Sequence, residues 1–207
     1  MPQTLLIIDD DPPILDTFSR FLTTQGFTVH TAEGGEEGIA LLGTITPDLI
    51  LLDVMMEPMD GWETLLAIRD NPKTRAVPVM IVTAKLPTQE EIQKYGGEAD
   101  DFVMKPVDLQ IIPASVRQAI ETNTRMTGVV EGLKGRGADP DQIREYISLQ
   151  RKVRITQKLS GRFRDRRDTD TCLLSQLESR LAQLEQELGI VLPPAASDPD
   201  PGGRHSV

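Results

Sequence analysis

The sequence predicts a doubly wound α/β domain, a five-stranded parallel sheet with helices on both faces, followed by an α-helical extension. Three observations carry this. Short apolar runs recur through the first 120 residues, helical patterns separate them, and beyond that point both the charge balance and the apolar spacing change.

The elements follow in order. Leu5 to Ile8 is an apolar run of strand length, and Ile14, Leu15, Phe18, Phe21 and Leu22 then recur at helical spacing before a second strand over Thr28 to Ala32. Leu49 to Leu52 and Val77 to Val82 are unbroken apolar runs, as expected of parallel strands buried on both faces, and Phe102 to Met104 makes a short fifth. Helical segments fall near 35–43, 61–70, 88–95 and 108–122. Strands alternating with helices in this way imply a parallel sheet, so the first domain is placed at 1–122.

Gly128, Gly132, Gly135 and Gly137 then mark 123–138 as a linker, with no Gly-Lys-Ser/Thr ending of a phosphate-binding loop. Asp139-Pro140 supplies an N-cap and a first-turn proline for a helix to about Leu159. Leu174, Leu177, Leu181, Leu184 and Leu188 alternate three and four residues apart, the seam of a short coiled coil, and Val191 continues it. That seam predicts pairing with the same helix of a second chain, a homodimer. The helical extension is placed at 139–192, and 193–207, poor in residues to bury, is expected to be a disordered tail.

The net charge of -10 conceals an asymmetry: residues 1–122 hold 20 acids against 8 bases, and residues 123–207 hold 12 against 14. Between Arg144 and Arg167 stand nine bases and only two acids, Glu145 and Asp165, a local excess suited to phosphate or to an acidic protein face. The acidic first domain argues against nucleic-acid binding there. No stretch is apolar enough for a membrane span and no secretory pattern opens the chain, which predicts a cytoplasmic protein; the lone Cys172 has no partner for a disulfide within the chain.

In open parallel sheets, ligands bind beyond the carboxyl ends of the strands. There the sequence places Asp9 and Asp10 after the first strand, Asp53 after the third, Thr83 at the end of the fourth and Lys105 after the fifth, followed by Pro106. Crowded carboxylates repel one another, and a hard divalent cation such as Mg²⁺ relieves that repulsion. Metal binding alone has no use for the lysine and threonine, which suit the equatorial oxygens of a phosphoryl group, leaving Asp53 as the carboxylate nucleophile.

With these residues in place the sequence resembles the response regulator receiver domains of two-component systems. The resemblance rests on LLIIDDDP at 5–12, PDLILLDVMM at 47–56, MDG at 59–61, VTA at 82–84 and KP at 105–106. It implies a flavodoxin-like sheet of order 2-1-3-4-5 and phosphorylation of Asp53 by a phosphohistidine of a sensor histidine kinase. It also implies Mg²⁺ held by Asp10, Asp53 and the Met55 carbonyl, with Asp9 acting through water. Lys105 and Thr83 would bind the phosphoryl oxygens, and Thr83 would move with Phe102, the switch aromatic. Two departures, Glu57-Pro58 and Glu98, affect loops and touch none of these residues.

Asp9-Asp10-Asp11 also offers the Asp-x-Asp of haloacid-dehalogenase-type phosphatases. That pattern wants Thr or Val where Pro13 stands, and an acidic pair after the lysine, whereas Asp100-Asp101 precede Lys105. For the output, the leucine seam and the scarcity of aromatics favour a noncatalytic helical module that binds a downstream protein. The alternative is a DNA-binding regulator using the basic stretch.

Overall fold

Leu49–Leu52, a strand with four consecutive apolar residues and every one buried, lies at the centre of the sheet. We describe residues 2–160 and 167–190 of a computed structural model. The strands are β1 (Thr4–Ile8), β2 (Thr28–Ala32), β3 (Leu49–Leu52), β4 (Val79–Thr83) and β5 (Asp101–Met104). They form one parallel sheet of order β2-β1-β3-β4-β5, the flavodoxin-like arrangement expected. The register sets Ile8 beside Leu52, Leu52 beside Ile81 and Thr83 beside Met104, so the strands end together along one rim.

Alternation along each strand divides the core in two. Leu5, Ile7, Leu49, Leu51, Met80 and Val82 face α1 (Pro12–Thr24) and the first turns of α5 (Ile112–Gly135). Leu6, Ile8, Ile50, Leu52 and Ile81 face the other way, towards α2 (Gly35–Leu41), α3 (Gly61–Asp70) and α4 (Gln89–Tyr95). Asp11 is the N-cap residue of α1, yet its side chain makes no capping bond there.

Two expectations are corrected beyond the sheet. The fifth helix does not stop at 122: α5 continues to Gly135, through most of the segment read as linker. Interior glycines each cost a helix about 1 kcal/mol, but Met126, Val129, Val130 and Leu133 pack against the following helices and hold the segment helical. The turn comes at Gly137, whose φ of 75° is open to glycine, with Ala138 N donating back to Leu133 O.

The leucine seam, second, is covered from within the chain. α6 (Pro140–Ser160) and α7 (Arg167–Glu187) form an antiparallel hairpin in which Leu181, Leu184 and Leu188 are buried against Leu133, Ile143, Tyr146, Leu149 and Val153. Leu174 and Leu177 pack at its edge. Heptad spacing specifies a partner helix without saying whose, and α6 lies near enough to be that partner. The argument for a homodimer through this seam therefore falls away. Val191, the tail from 193 and the bases at 162, 164 and 166 lie outside the described residues.

Candidate functional site

Asp53 follows directly on β3 and is only 6% exposed. Its backbone N–H is bound to Ile8 O at 2.9 Å, which fixes it beside Asp9 at the end of β1. Lys105, whose peptide bond to Pro106 is cis, reaches across from the end of β5. Its Nζ stands 2.6 Å from Oδ2 of Asp53 and 2.6 Å from Oδ2 of Asp9. The other oxygens are also held: Asp53 Oδ1 accepts from Met55 N at 3.0 Å, and Asp9 Oδ1 from Asp11 N at 3.0 Å.

Thr83, 1% exposed, ends β4 between these strands, and its Oγ1 accepts from Lys85 N at 3.3 Å. Lys105 N donates to Thr83 O at 2.9 Å, tying the two strand ends together. The structure thus brings Asp9, Asp53, Thr83 and Lys105 to one rim, as the sequence predicts. Asp10 lies at its exposed edge, with no side-chain hydrogen bond among the described residues. Met55 turns its side chain outwards at 56% exposure, which leaves its backbone as the part able to serve the site. Phe102 is buried on β5 in the α4-side core.

The electrostatics explain what this cluster lacks. Burial, reinforced by the Asp53 charge, pushes the Asp9 carboxyl above its ordinary value despite the hydrogen bonds from Lys105 and Asp11. Burial works to lower Lys105, but hydrogen bonds to Asp53 and Asp9 outweigh it and raise the ammonium. The two directions agree once the charges are counted: one cation is shared by two acids, so the lysine is doubly served and Asp9 is not. Among the described residues no three His, Cys, Asp or Glu side chains converge as a ready metal cluster. The donors are nonetheless all oxygen and short of positive charge, a set that fits a hard cation such as Mg²⁺ once a backbone carbonyl and water complete it.

Sequence reasoning missed two supports. Gly61, the first residue of α3, packs so closely under the site that a Cβ there would lie 2.0 Å from Asp53 O and 2.6 Å from Val54 Cα. Trp62 Nε1 donates to Glu91 Oε1 at 3.3 Å, and Lys85 Nζ contacts that same oxygen at 2.7 Å, linking α3 and α4 beside the rim. The Met-Asp-Gly signal at 59–61 was visible, but only coordinates show that the glycine clears space for backbone.

Comparison with known proteins gives a consistent picture. A family model described as the response regulator receiver domain matches residues 5–117. The Synechocystis protein named DNA-binding dual master transcriptional regulator RpaA is 38% identical over 126 residues, 61% of this chain and 52% of that one. Response regulator PleD of Caulobacter vibrioides is 35% identical over 138 residues, 67% of this chain and 30% of that one. The chain therefore spans about half or less of the length of these relatives. Among solved structures, the receiver domain of Francisella response regulator 1452 matches with a TM-score of 0.53 at 26% identity, covering 58% of this chain and 98% of that one. Vibrio cholerae chemotaxis protein CheY4 matches with a TM-score of 0.54 at 25% identity, covering 57% and 99%.

Proposed function

The chain belongs to the response regulator receiver family, and from that premise we propose that it accepts a phosphoryl group on Asp53 from a phosphohistidine of a sensor histidine kinase. The observation that carries this reading is the Lys105 ammonium, 2.6 Å from the buried Asp53 carboxylate with Thr83 at the neighbouring strand end. An oxygen of Asp53 attacks phosphorus, the phosphorus–nitrogen bond breaks, and the freed imidazole nitrogen takes a proton from solvent. Lys105 and the Thr83 hydroxyl receive the transferred oxygens, which supplies positioning and charge rather than covalent chemistry. Mg²⁺ would be held by Asp10, Asp53 and the Met55 carbonyl, with Asp9 acting through water, and would supply neutralising charge.

Asp53, rather than Asp9 of an Asp-x-Asp pair, is the nucleophile in this reading. Lys105 reaches both carboxylates at 2.6 Å, but Asp53 follows β3, the neighbour of the β4 strand that ends in Thr83, whereas Asp9 follows β1 one strand further away and Asp11 is exposed. The protein's catalysis is then limited to its own phosphorylation and dephosphorylation. The output proposed is a noncatalytic helical module, 139–192, acting on a downstream protein. Arg151, Arg154 and Lys158 support this over DNA contact, because they are engaged with the receiver.

The test is transfer of labelled phosphate from a phosphorylated kinase, or from a small phosphodonor, with and without Mg²⁺. Label is expected only with Mg²⁺ and is lost in Asp53→Ala. A mutant that labels as fully as wild type under brief, limiting donor overturns the assignment.

A further inference from the structure

A cavity of about 570 Å³ lies where the helical hairpin meets the receiver, within the roughly 300–1,000 Å³ of small-molecule sites. Three parts of the chain wall it: Arg69 in the last turn of α3 with Arg75 after it, Gly97 and Glu98 ahead of β5, and facing stretches of α5 and α6. Arg75 and Glu98 precede β4 and β5, so the cavity lies at the amino ends of the strands, whereas Asp53, Thr83 and Lys105 stand at their carboxyl ends. Ligands of open parallel sheets gather at the carboxyl ends. This cavity is instead a product of the docked extension.

Its walls are framed by hydrogen bonds. Arg69 Nη1 donates to Arg75 O at 3.0 Å and to Val77 O at 2.7 Å, and Asn123 Nδ2 of α5 donates to Ala76 O at 3.3 Å, which fixes the corner after α3. On the other side Arg151 Nη1 donates to Gly97 O at 3.3 Å. There α6 comes so close that a Cβ on Gly97 would lie 2.0 Å from Ser148 Oγ.

The lining is cationic in a chain of net charge -10. Five of its thirteen residues are basic, Arg69, Arg75, Lys134, Arg144 and Arg151, and only Glu98 is acidic. Three of the five have carboxylate partners: Asp100 takes Arg69 and Arg151 at 2.8 Å each, and Asp141 takes Arg144. Glu98 stands 3.9 Å from Arg69. Arg75 and Lys134, both exposed, have no side-chain partner among the described residues. Five cations set against three carboxylates leave two positive charges, and these two residues carry them. The rest of the wall is aliphatic, with Val130, Ile143 and Ile147, and no lining residue is aromatic.

We propose that this cavity binds a small organic phosphate, the phosphate on Arg75 and Lys134 and an aliphatic body against Val130, Ile143 and Ile147. A guanidinium fork and a compact ammonium suit the oxygens of a phosphate dianion, whose charge matches the two left uncompensated. A nucleobase would find no aromatic ring to stack on. An occupant touches the corner after α3, α5 and α6 at once, so it binds the docked arrangement of hairpin and receiver and stabilises it by mass action. The site does not depend on phospho-acceptance at Asp53.

The experiment is calorimetric titration of the full chain with octyl phosphate below its micelle concentration, beside inorganic phosphate, octanoate and octanol. One octyl phosphate per chain is expected, bound about tenfold or more tightly than any of the other three, with an unfolding temperature that rises with its concentration. R75Q/K134Q should weaken octyl phosphate about 10- to 100-fold, as expected where hydrogen bonds between charged groups are lost, while the circular dichroism spectrum stays that of wild type. Val130→Phe, which fills the apolar end and leaves the charge alone, should weaken octyl phosphate and leave inorganic phosphate unchanged.

Octyl phosphate that binds R75Q/K134Q as well as wild type, or that does not bind at all, overturns the site. Inorganic phosphate as tight as octyl phosphate overturns the apolar half of the proposal, and octanoate as tight overturns the preference for a dianion. Several equivalents bound, unaffected by Val130→Phe, would mean association with the surface and would equally overturn it.

Discussion

Asp100 is a carboxylate that joins the helical hairpin to the receiver, as its neighbour Asp101 also does through Lys158: it accepts from Arg151 at 2.8 Å across 51 residues of sequence. From the opposite side Arg69 Nη2 donates to its Oδ2 at 2.8 Å, and Val79 N does the same at 2.8 Å. Arg69 is itself only 7% exposed, and burial pulls its guanidinium down to about 10 against the attraction of Asp100. Its remaining donors go to the carbonyls of Glu98, Arg75 and Val77.

From that arrangement the order of two substitutions follows. Asp100→Ala leaves Arg69 buried without its carboxylate and frees Val79 N, a loss of about 3–5 kcal/mol of stability for a broken buried pair. Arg151→Ala leaves Asp100 its other two donors and should cost about 1.5–3 kcal/mol, the worth of a hydrogen bond to a charged group. Urea unfolding of both variants checks this. A milder effect for Asp100→Ala would show that the carboxylate is not the shared anchor.

The sheet was legible because strands buried on both faces must be continuously apolar, and 49–52 is such a run. The site was legible because the fold puts strand ends together, so Asp9, Asp53, Thr83 and Lys105 needed no contact information to be grouped. The basic stretch was not. Its charge excess announces an acidic counterpart, but Arg151 and Lys158 find theirs in Asp100 and Asp101, about 50 residues away and themselves anonymous among many acids. The leucine seam failed for a related reason, since periodicity names a face and not the partner that covers it.

Gly61 and Gly128 make a matched pair. At Gly61 an added Cβ meets backbone atoms of Asp53 and Val54, which cannot swing aside, so the loop carrying Asp53 must move. Displacements of that kind cost on the order of 10²-fold in rate, and Gly61→Ala should slow labelling of Asp53 accordingly. At Gly128 nothing lies within 4 Å of the new methyl group. Gly128→Ala should leave labelling intact and stabilise α5 by about 1 kcal/mol. Equal labelling rates in the two variants would contradict the close-approach reading.

Leu184 is completely buried in the hairpin. Leu184→Ala should cost about 2–5 kcal/mol through lost contacts and a residual cavity. Leu181→Asp, which places a charge in the same apolar cluster, should lower the helical circular dichroism signal while light scattering shows no change in molar mass. A halved mass with helicity retained would mean that the seam joins two chains after all.

Two carboxylates of the hairpin give opposite responses to pH. Glu145 accepts from Arg180 Nε at 2.7 Å and Nη2 at 2.9 Å, and these bonds hold it below the usual glutamate range. A depressed folded value means stabilisation that is present above the ordinary glutamate value and disappears as pH falls through the folded one. Glu185 is raised by burial, which outweighs its hydrogen bond from Gln150. Its contribution runs the other way, present below the ordinary value and lost as pH rises through the raised one. Because the Glu145–Arg180 pair is substantially exposed, salt should weaken the first effect. Thermal unfolding from about pH 3 to pH 7 should therefore show Glu145→Gln flattening the acid limb of the wild-type profile and Glu185→Gln flattening the limb above it. Identical profiles for wild type and Glu145→Gln at low salt would mean that the Arg180 clamp contributes nothing to the hairpin.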